Sequence, residues 1–259
     1  MESGFPSEPP SRSLVGKAAI VTGAGCLGDG IGNGRAISIL LADDGCDVIC
    51  VDLNLEWANK TVEIVNSKPG RGRALAIRGD VTSEEDCQAA VRFAVEQFGQ
   101  LDILINNVGI GGAAGTAVEV DIMVQMVKYA VPEMSRNNGK IKGSIVNMGS
   151  VAGLKGGTPH LLYPTAKGAI VNMTRAMAAH HSPDGIRVNC VCPGMLYTPM
   201  MYGKGMREEA RGARRKRSLL GTEGNGWDCA GAVVFLAGPH ARWMTAVGIG
   251  MTKSASVNA

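Results

Sequence analysis

Residues 17–44 read KAAIVTGAGCLGDGIGNGRAISILLADD: an apolar run, a glycine-rich turn, and then apolar residues at helical spacing. The run from Ala18 to Thr22 has the length of a buried strand, and the segment from Gly32 to Asp44 has the period of a helix. A turn of this kind presents backbone N–H groups and a helix N-terminus, both of which attract phosphate. The stretch therefore predicts a βα unit that can hold a dinucleotide. Glycine clusters also arise by chance in a chain with 36 glycines, so the placement of the turn carries this argument.

The rest of the chain alternates strand-length apolar runs with helical segments, which is the pattern of βαβ units and a parallel sheet. A single α/β domain over residues 13–259, a Rossmann-type doubly wound parallel sheet, is the predicted fold, and its ligands are expected at the carboxyl ends of the strands. The predicted strands are Ala18 to Thr22, Asp47 to Val51, Ala74 to Arg78, Ile103 to Asn106, Ser144 to Met148 and Arg187 to Val191. The predicted helices are Gly32 to Asp44, Leu55 to Ser67, Ser83 to Phe98, Val118 to Arg136 and Pro164 to His181, the third opening with a capping box, Thr82-x-x-Glu85.

The composition excludes several classes of protein. Apolar residues at 45% and charged residues at 19% are globular values. No apolar run approaches the ~18 residues that span a bilayer. Residues 1–12 are rich in Pro, Ser and Glu without an apolar signal core, so they are predicted to be a disordered tail of a cytoplasmic protein.

The cysteines and the basic residues carry weak signals. Seven cysteines without metal-type spacing suit a reducing compartment and predict no metal site. Cys190 and Cys192 share one face of a predicted strand, where buried packing is favoured over metal binding. A net charge of +3 is too small to indicate a polyanion partner. The cluster from Arg211 to Arg217 is interpreted as a solvated helix face, with nucleic-acid binding as the less favoured alternative, so neither nucleic acid nor membrane is expected.

A dinucleotide would lie along the ends of the first three strands. Gly23, Gly30, Ile31 and Gly32 are the candidates for the pyrophosphate. Asp52 ends the second strand twenty residues beyond Gly32, where a carboxylate can accept both adenosine-ribose hydroxyls. This favours NAD over NADP, because a 2′-phosphate would meet a like charge and the turn holds no Arg or Lys. A plain turn residue is the alternative for Asp52.

Two further strand ends carry candidate contacts to the cofactor. Asp80-Val81 follows the third strand, and Asp80 can accept from an adenine amino group, although a turn aspartate is nearly as good an interpretation. Asn106-Asn107-Val108-Gly109 ends the fourth strand. Asparagine side chains there can tie neighbouring strands together, and Gly109 lets a cofactor pass close.

The candidate catalytic group is Ser150, Tyr163 and Lys167. Tyr163 and Lys167 are spaced i, i+4 at the start of a predicted helix, with Tyr163 directly before its first residue, so the ammonium is expected on the same face as the phenol, where it favours the phenolate, a base for an alcohol proton. Ser150, on the turn after the fifth strand, can hydrogen-bond the substrate oxygen. Each residue alone could be ordinary packing or a turn; their order along successive strand ends favours the catalytic interpretation.

These residues resemble the short-chain dehydrogenase/reductase family over about residues 14–245. The resemblance implies an NAD-dependent enzyme that interconverts a secondary alcohol and a ketone, with Tyr163 as acid/base, Lys167 as its modulator and ribose ligand, and Ser150 as the donor to the substrate oxygen. Pro193, Gly194 and Thr198 also match, and Thr198 would touch the carboxamide side of the nicotinamide. It further implies a homo-oligomer, a dimer or tetramer, paired through Val118 to Arg136 and Pro164 to His181.

Three features depart from the family pattern. Cys26 to Asp29 are extra residues within the glycine turn. The crossover from Gly111 to Lys142 is short and has no helix-borne asparagine, its slot falling near Glu119. After Ala237 the sequence suggests no last strand, with apparent deletions near Asp121-Ile122 and Thr245-Ala246. These departures leave a second hypothesis open, a catalytically silent dinucleotide-binding or interaction protein.

The segment from Met195 to Trp227 follows the sixth strand, where a lid can close over a nicotinamide. Its near end is apolar and rich in methionine, which hints at a hydrophobic or cyclic alcohol, although simple packing is an equal interpretation. His160 is a weaker candidate for a substrate contact, and a solvated loop histidine is favoured.

Overall fold

The computed structural model describes residues 9–70, 72–109, 118–155, 161–203 and 205–252, with residues 118–122 described by their backbone alone. Within these residues seven parallel strands form one sheet in the order β3-β2-β1-β4-β5-β6-β7. The strands are β1 (Ala18–Thr22), β2 (Asp47–Asp52), β3 (Ala74–Arg78), β4 (Ile103–Asn106), β5 (Gly143–Met148), β6 (Ile186–Cys192) and β7 (Gly248–Gly250). The order reverses between β1 and β4, which defines the switch point of a doubly wound sheet. The predicted fold is confirmed.

Helices cover both faces of the sheet. They are α1 (Asn33–Asp43), α2 (Leu55–Asn66), α3 (Glu84–Phe98), α4 (Val118–Met134), α5 (Leu162–His181), α6 (Pro199–Tyr202), α7 (Glu208–Arg217) and α8 (Gly226–Ala237). One apolar core lies between the sheet and α1, α2 and α8, and includes Ile37, Leu41 and Val233. The other lies under α3, α4 and α5, and includes Val91 and Met126. The central strands are buried on both faces for this reason.

The expectation that the last strand is missing is wrong. Gly248, Ile249 and Gly250 form β7, which pairs parallel with Cys190, Val191 and Cys192. The sequence hides this strand because it has three residues and two of them are glycine, a residue that weakens strands. The chain also turns sharply just before β7, since Ala246 has a φ of 62°, a left-handed conformation that a non-glycine residue seldom adopts.

The predicted capping box at the start of α3 is also misplaced. The residue that caps this helix is Ser83, whose Oγ accepts from the N–H of Asp86 at 3.2 Å. Asp86 does not complete the reciprocal pair, because its carboxylate accepts from the N–H of Asp80 at 2.8 Å. A reciprocal capping box does open α8, between Asn225 and Asp228.

Some predictions fall on residues that the structure does not describe. His160, the side chain of Glu119, and most of the tail over residues 1–12 lie outside the described part of the chain. Among the described residues, no helix has the length and apolar character that a membrane crossing requires.

Candidate active site

The carboxyl ends of β1 and β4 are tied together by the side chain of Asn107. Its Nδ2 donates to the carbonyl oxygens of Thr22 and Gly23, each at 3.0 Å, and its backbone N–H donates to Thr22 Oγ1 at 3.0 Å. These bonds confirm the expected cross-strand tie. They hold the glycine turn beside the switch point, where an open parallel sheet binds its ligand.

At three glycines of the turn, neighbouring atoms lie so close that a side chain would clash with them. A Cβ on Gly34 would lie 1.9 Å from the carbonyl oxygen of Gly23, so this glycine lets α1 pack against the end of β1. A Cβ on Gly25 would lie 2.8 Å from Asp52 Oδ2, and one on Gly32, which precedes α1, would lie 3.0 Å from Cys26 Sγ. Sequence reasoning emphasised Gly30 to Gly32 and missed Gly34, although its position two residues after Gly32 was a usable signal.

Asp52 faces the turn from the end of β2. Its Oδ2 accepts from the N–H of Gly25 at 2.8 Å, and its Oδ1 accepts from the N–H of Asn54 at 2.9 Å. No Lys or Arg forms an ion pair with Asp52 within the described ranges, so its negative charge is not neutralised by a side chain. Each carboxylate oxygen has a second lone pair, which leaves acceptor capacity for two hydroxyls.

Asp80 follows the end of β3, and one of its carboxylate oxygens already accepts hydrogen bonds from a neighbouring residue. Its Oδ1 accepts from the hydroxyl of Thr82 at 2.7 Å and from the N–H of Thr82 at 2.9 Å. These bonds hold the pKa of the Asp80 carboxyl below its ordinary value. Val81 beside it is buried in the core under α3. Asp80 therefore stays ionised at neutral pH, with one oxygen left for a donor.

Tyr163 and Lys167 lie one turn apart on α5, as predicted. The Nζ of Lys167 is 5.9 Å from the centroid of the Tyr163 ring and donates to the carbonyl oxygen of Met148 at 3.2 Å. Lys167 is 4% exposed, and a Cβ on Gly109 would lie 3.9 Å from its Nζ. The ammonium thus occupies a confined position between the ends of β4 and β5.

Ser150 lies in the turn that follows β5 and begins a short 3₁₀ turn. It is 6% exposed, and its Oγ accepts from the N–H of Ala152 at 3.1 Å. Because that bond uses the oxygen as an acceptor, the hydroxyl proton can still be donated. Ser150 and the tyrosine–lysine pair belong to adjoining elements, since the 3₁₀ turn packs closely on α5: a Cβ on Gly153 would lie 2.4 Å from the backbone of Lys167.

The residues after β6 border the same edge of the sheet. The carbonyl oxygen of Pro193 accepts from the N–H of Val151 at 3.0 Å, next to Ser150. A Cβ on Gly194 would lie 2.5 Å from the carbonyl oxygens of Met251 and Thr252, so this glycine lets the chain after β7 pass close. Thr198, 8% exposed, precedes α6 and its side chain does not cap that helix.

The predicted lid lies over the glycine turn. A Cβ on Gly30 would meet Pro199 Cγ at 2.4 Å and the hydroxyl of Tyr202 at 2.7 Å. The rings of Tyr197 and Tyr202 pack 4.8 Å apart. The start of this segment therefore lies against the glycine turn.

The basic cluster on α7 is only partly the solvated face that was predicted. Arg211 and Arg214 both donate to the carboxylate of Glu223, at 3.1 Å and 2.6 Å, and that side chain is 3% exposed. The guanidinium of Arg211 also lies 3.8 Å from the centroid of the Tyr197 ring. Through these contacts with Glu223 and Tyr197, Arg211 and Arg214 hold α7 against the rest of the segment that follows β6.

All seven cysteines are buried with free thiols. Burial raises the pKa of Cys50 and of Cys229 to about 12. The sulfur atoms of Cys190 and Cys192 lie 3.7 Å apart under Gly149, whose Cβ would meet each at 2.8 Å. No group of three or more His, Cys, Asp or Glu side chains among the described residues could hold a metal ion.

The chain is similar to known enzymes over almost its whole length. A family model described as enoyl-(acyl carrier protein) reductase matches residues 28–251. Meso-2,3-butanediol dehydrogenase of Serratia marcescens is 32% identical over 254 residues, which cover 93% of this chain and 95% of that protein.

Two solved structures share the fold. A chain from Burkholderia xenovorans assigned to the short-chain dehydrogenases/reductases has a TM-score of 0.82 and 36% identity over 92% of this chain and 96% of that one. A 7α-hydroxysteroid dehydrogenase complexed with NADH and 7-oxoglycochenodeoxycholic acid has a TM-score of 0.83 and 30% identity over 93% and 94%. With its doubly wound sheet and its tyrosine–lysine pair, this chain is an oxidoreductase that belongs to the short-chain dehydrogenase/reductase family.

Proposed function

We propose that this enzyme is an NAD-dependent dehydrogenase that interconverts a secondary alcohol and a ketone, with Tyr163 as the general acid/base. The observation that carries the proposal is the buried Lys167 ammonium, 5.9 Å from the Tyr163 ring centroid and next to Gly109. A cation held beside the Tyr163 ring is what the proposed role of this tyrosine, taking a proton from an alcohol, requires.

The residues present fit a dinucleotide. The glycine turn and the N-terminus of α1 would receive the pyrophosphate, and Asp52 would accept the adenosine-ribose hydroxyls. Asp80 would accept from the adenine amino group, and Lys167 with Thr198 would hold the nicotinamide end. The unneutralised carboxylate of Asp52 supports NAD over NADP, because a 2′-phosphate beside it would be repelled.

The reaction divides between the cofactor and the protein side chains. When bound, oxidised NAD supplies the hydride acceptor. Tyr163, as phenolate, takes the hydroxyl proton of the alcohol, and Lys167 stabilises that phenolate before the transfer. Ser150 donates a hydrogen bond to the substrate oxygen as its charge develops. In the reverse direction Tyr163 returns the proton to the reduced carbonyl.

The proposed substrate is a hydrophobic or cyclic secondary alcohol. The lid contributes apolar side chains near its start, with Met200 67% exposed and Met201 36% exposed. The butanediol and hydroxysteroid dehydrogenases described above are both named for secondary alcohols, and the hydroxysteroid is a cyclic, hydrophobic one, which supports this substrate class for the enzyme.

The direct test is formation of NADH absorbance when the purified enzyme is mixed with NAD and a panel of secondary alcohols. Linear, cyclic and steroid alcohols form the panel, and NADP replaces NAD in a parallel series. The proposal expects NADH with at least one cyclic alcohol. Binding of NAD without NADH formation across the panel would instead favour the silent dinucleotide-binding protein.

Self-association through α4 and α5 remains part of the proposal. Val124 on α4 is 45% exposed and Leu162 at the start of α5 is 47% exposed, so both helices present apolar side chains at the surface. Light scattering on the purified enzyme would test this proposal, which expects the mass of a dimer or tetramer. A monomer mass at micromolar concentration would contradict it.

A further inference from the structure

A fully buried arginine lies beneath the glycine turn. Arg35, on the first turn of α1, is 1% exposed. Its Nη1 donates to the carbonyl oxygens of Gly30 at 2.5 Å and Gly28 at 3.1 Å, and its Nη2 donates to that of Cys26 at 3.3 Å. One guanidinium therefore binds the carbonyl groups of three alternate residues of the glycine turn.

The orientation of the guanidinium is fixed from its other side by Thr61 on α2. Arg35 Nε donates to Thr61 Oγ1 at 3.1 Å, and that hydroxyl donates to the carbonyl oxygen of Ala24 at 2.8 Å. The planar guanidinium suits this task because its N–H groups point in set directions.

These contacts determine which way the N–H groups of the turn point. All described peptide bonds are trans, and in a trans peptide the C=O and the following N–H point in opposite directions. Carbonyls directed down at Arg35 therefore direct the N–H groups of Leu27, Asp29 and Ile31 away from it. None of these three N–H groups donates to an acceptor among the described residues.

The local charge favours an anion at the same place. No carboxylate lies within 4.0 Å of Arg35 in the part of the chain that the structure describes, so the partners of its buried charge are three carbonyl oxygens and the hydroxyl of Thr61. The nearest acidic side chain on the turn is Asp29, which is 97% exposed and pairs with Lys60 at 3.4 Å. Successive outward N–H groups above a buried cation form a concavity for anions.

We propose that Arg35 is a positioning residue for the cofactor pyrophosphate: it orients the N–H groups of Leu27, Asp29 and Ile31 so that they bind the diphosphate. The extra residues Cys26 to Asp29 thereby become part of the site. This inference rests on the proposed function, since it needs a dinucleotide as ligand.

The test compares ligands with and without a diphosphate. Calorimetry on the full chain would measure the dissociation constants of ADP and of adenosine for the wild type and for Arg35→Lys. This variant keeps the positive charge and loses the planar guanidinium with its several N–H donors. We expect ADP to bind about tenfold more weakly, or worse, to Arg35→Lys, with adenosine affinity unchanged. Arg92→Lys, at an exposed position on α3, is the control and should change neither constant.

Two results would overturn the inference. One is unchanged ADP affinity in Arg35→Lys, and the other is an equal loss of ADP and adenosine affinity, which would indicate general damage to the fold. If Arg35→Lys does not fold, amide NMR on the wild type decides. The signals of Leu27, Asp29 and Ile31 should move with ADP and not with adenosine, and immobile signals would overturn the inference.

The fate of the proposed function is separable from this result. ADP binding as described, without NADH formation from any alcohol, would sustain the role of Arg35 and remove the proposed reaction. NADH formation by the wild type, together with unchanged ADP affinity in Arg35→Lys, would support the proposed reaction and remove the role of Arg35.

Discussion

The ammonium of Lys167 lies 5.9 Å from the centroid of the Tyr163 ring, one helical turn along α5 and 4% exposed. A cation in a site of reduced water access interacts more strongly with a nearby anion than it would in bulk solvent. In the proposed reaction this pairing places a cation beside the tyrosine that takes the proton. The proposed chemistry depends on this relationship.

Replacing Lys167 by Met should remove the positive charge beside Tyr163 and keep the buried volume. We expect kcat to fall by about 100-fold or more, because the proposed proton transfer loses its neighbouring cation. Steady-state rates at saturating NAD and alcohol would measure this fall. Lys128→Met, at an exposed site on α4, is the control. An unchanged kcat in Lys167→Met would contradict the assignment.

Asp52 should determine the choice between NAD and NADP. In Asp52→Asn the shape of the side chain is kept and its charge is lost, so repulsion of a 2′-phosphate disappears. We expect the ratio of kcat/KM for NAD over NADP to fall by about tenfold or more, which corresponds to ~1.4 kcal/mol. Asp47→Asn, at the opposite end of β2, should leave the ratio unchanged. A constant ratio in Asp52→Asn would refute the role of the carboxylate.

The pKa of Asp80 should depend on the hydroxyl of Thr82. Because the hydrogen bonds favour the charged form, their contribution to stability is complete above the ordinary carboxyl pKa and is lost as the pH falls through the lowered pKa of the folded state. Thr82→Val should raise the pKa of Asp80 toward its ordinary value of 3.8, while Thr82→Ser should not. Titration of the carboxyl carbon by NMR gives both values. An Asp80 pKa that is the same in Thr82→Val as in the wild type would contradict this account.

Ala246 offers a test of stability away from the catalytic group. Its φ of 62° costs an alanine about 1 kcal/mol or more relative to glycine, partly offset by the greater freedom of glycine in the unfolded chain. Ala246→Gly should therefore raise the free energy of unfolding by about 0.5 to 1 kcal/mol. Ala213→Gly, within α7, should lower it by a similar amount. Urea unfolding measures both, and a loss of stability in Ala246→Gly would show that the turn is not strained.

Much of the architecture follows from local pattern. The six predicted strands match the observed ones to within one residue at each end, because strands buried on both faces read as continuous apolar runs. The last strand was missed because Gly248 and Gly250 give it no such run. The capping residue of α3 was displaced by one position, from Thr82 to Ser83, since both types can cap a helix.

Parts of the candidate site that depend on local sequence spacing could be predicted from the sequence. Parts that depend on contacts between residues far apart in the sequence could not. The spacing of Tyr163 and Lys167 on one helix could be read directly. The role of Arg35 could not be predicted, because the side chain of a helical arginine usually reaches solvent. The burial of Arg35 depends on its contact with Thr61 and on the path of the glycine turn. The same holds for Glu223, which neutralises two arginines of α7 only after the lid has folded.

The central claim is tested most directly by the rate of NADH formation from the best alcohol by Tyr163→Phe, with the dissociation constant of NAD measured on the same protein. Loss of the hydroxyl removes the proton acceptor, so we predict a fall in kcat of about 100- to 10,000-fold with the NAD dissociation constant nearly unchanged. Tyr129→Phe, which loses a hydroxyl that contacts Glu84 on α3, should keep the wild-type rate. A Tyr163→Phe enzyme that turns over at the wild-type rate would contradict the account.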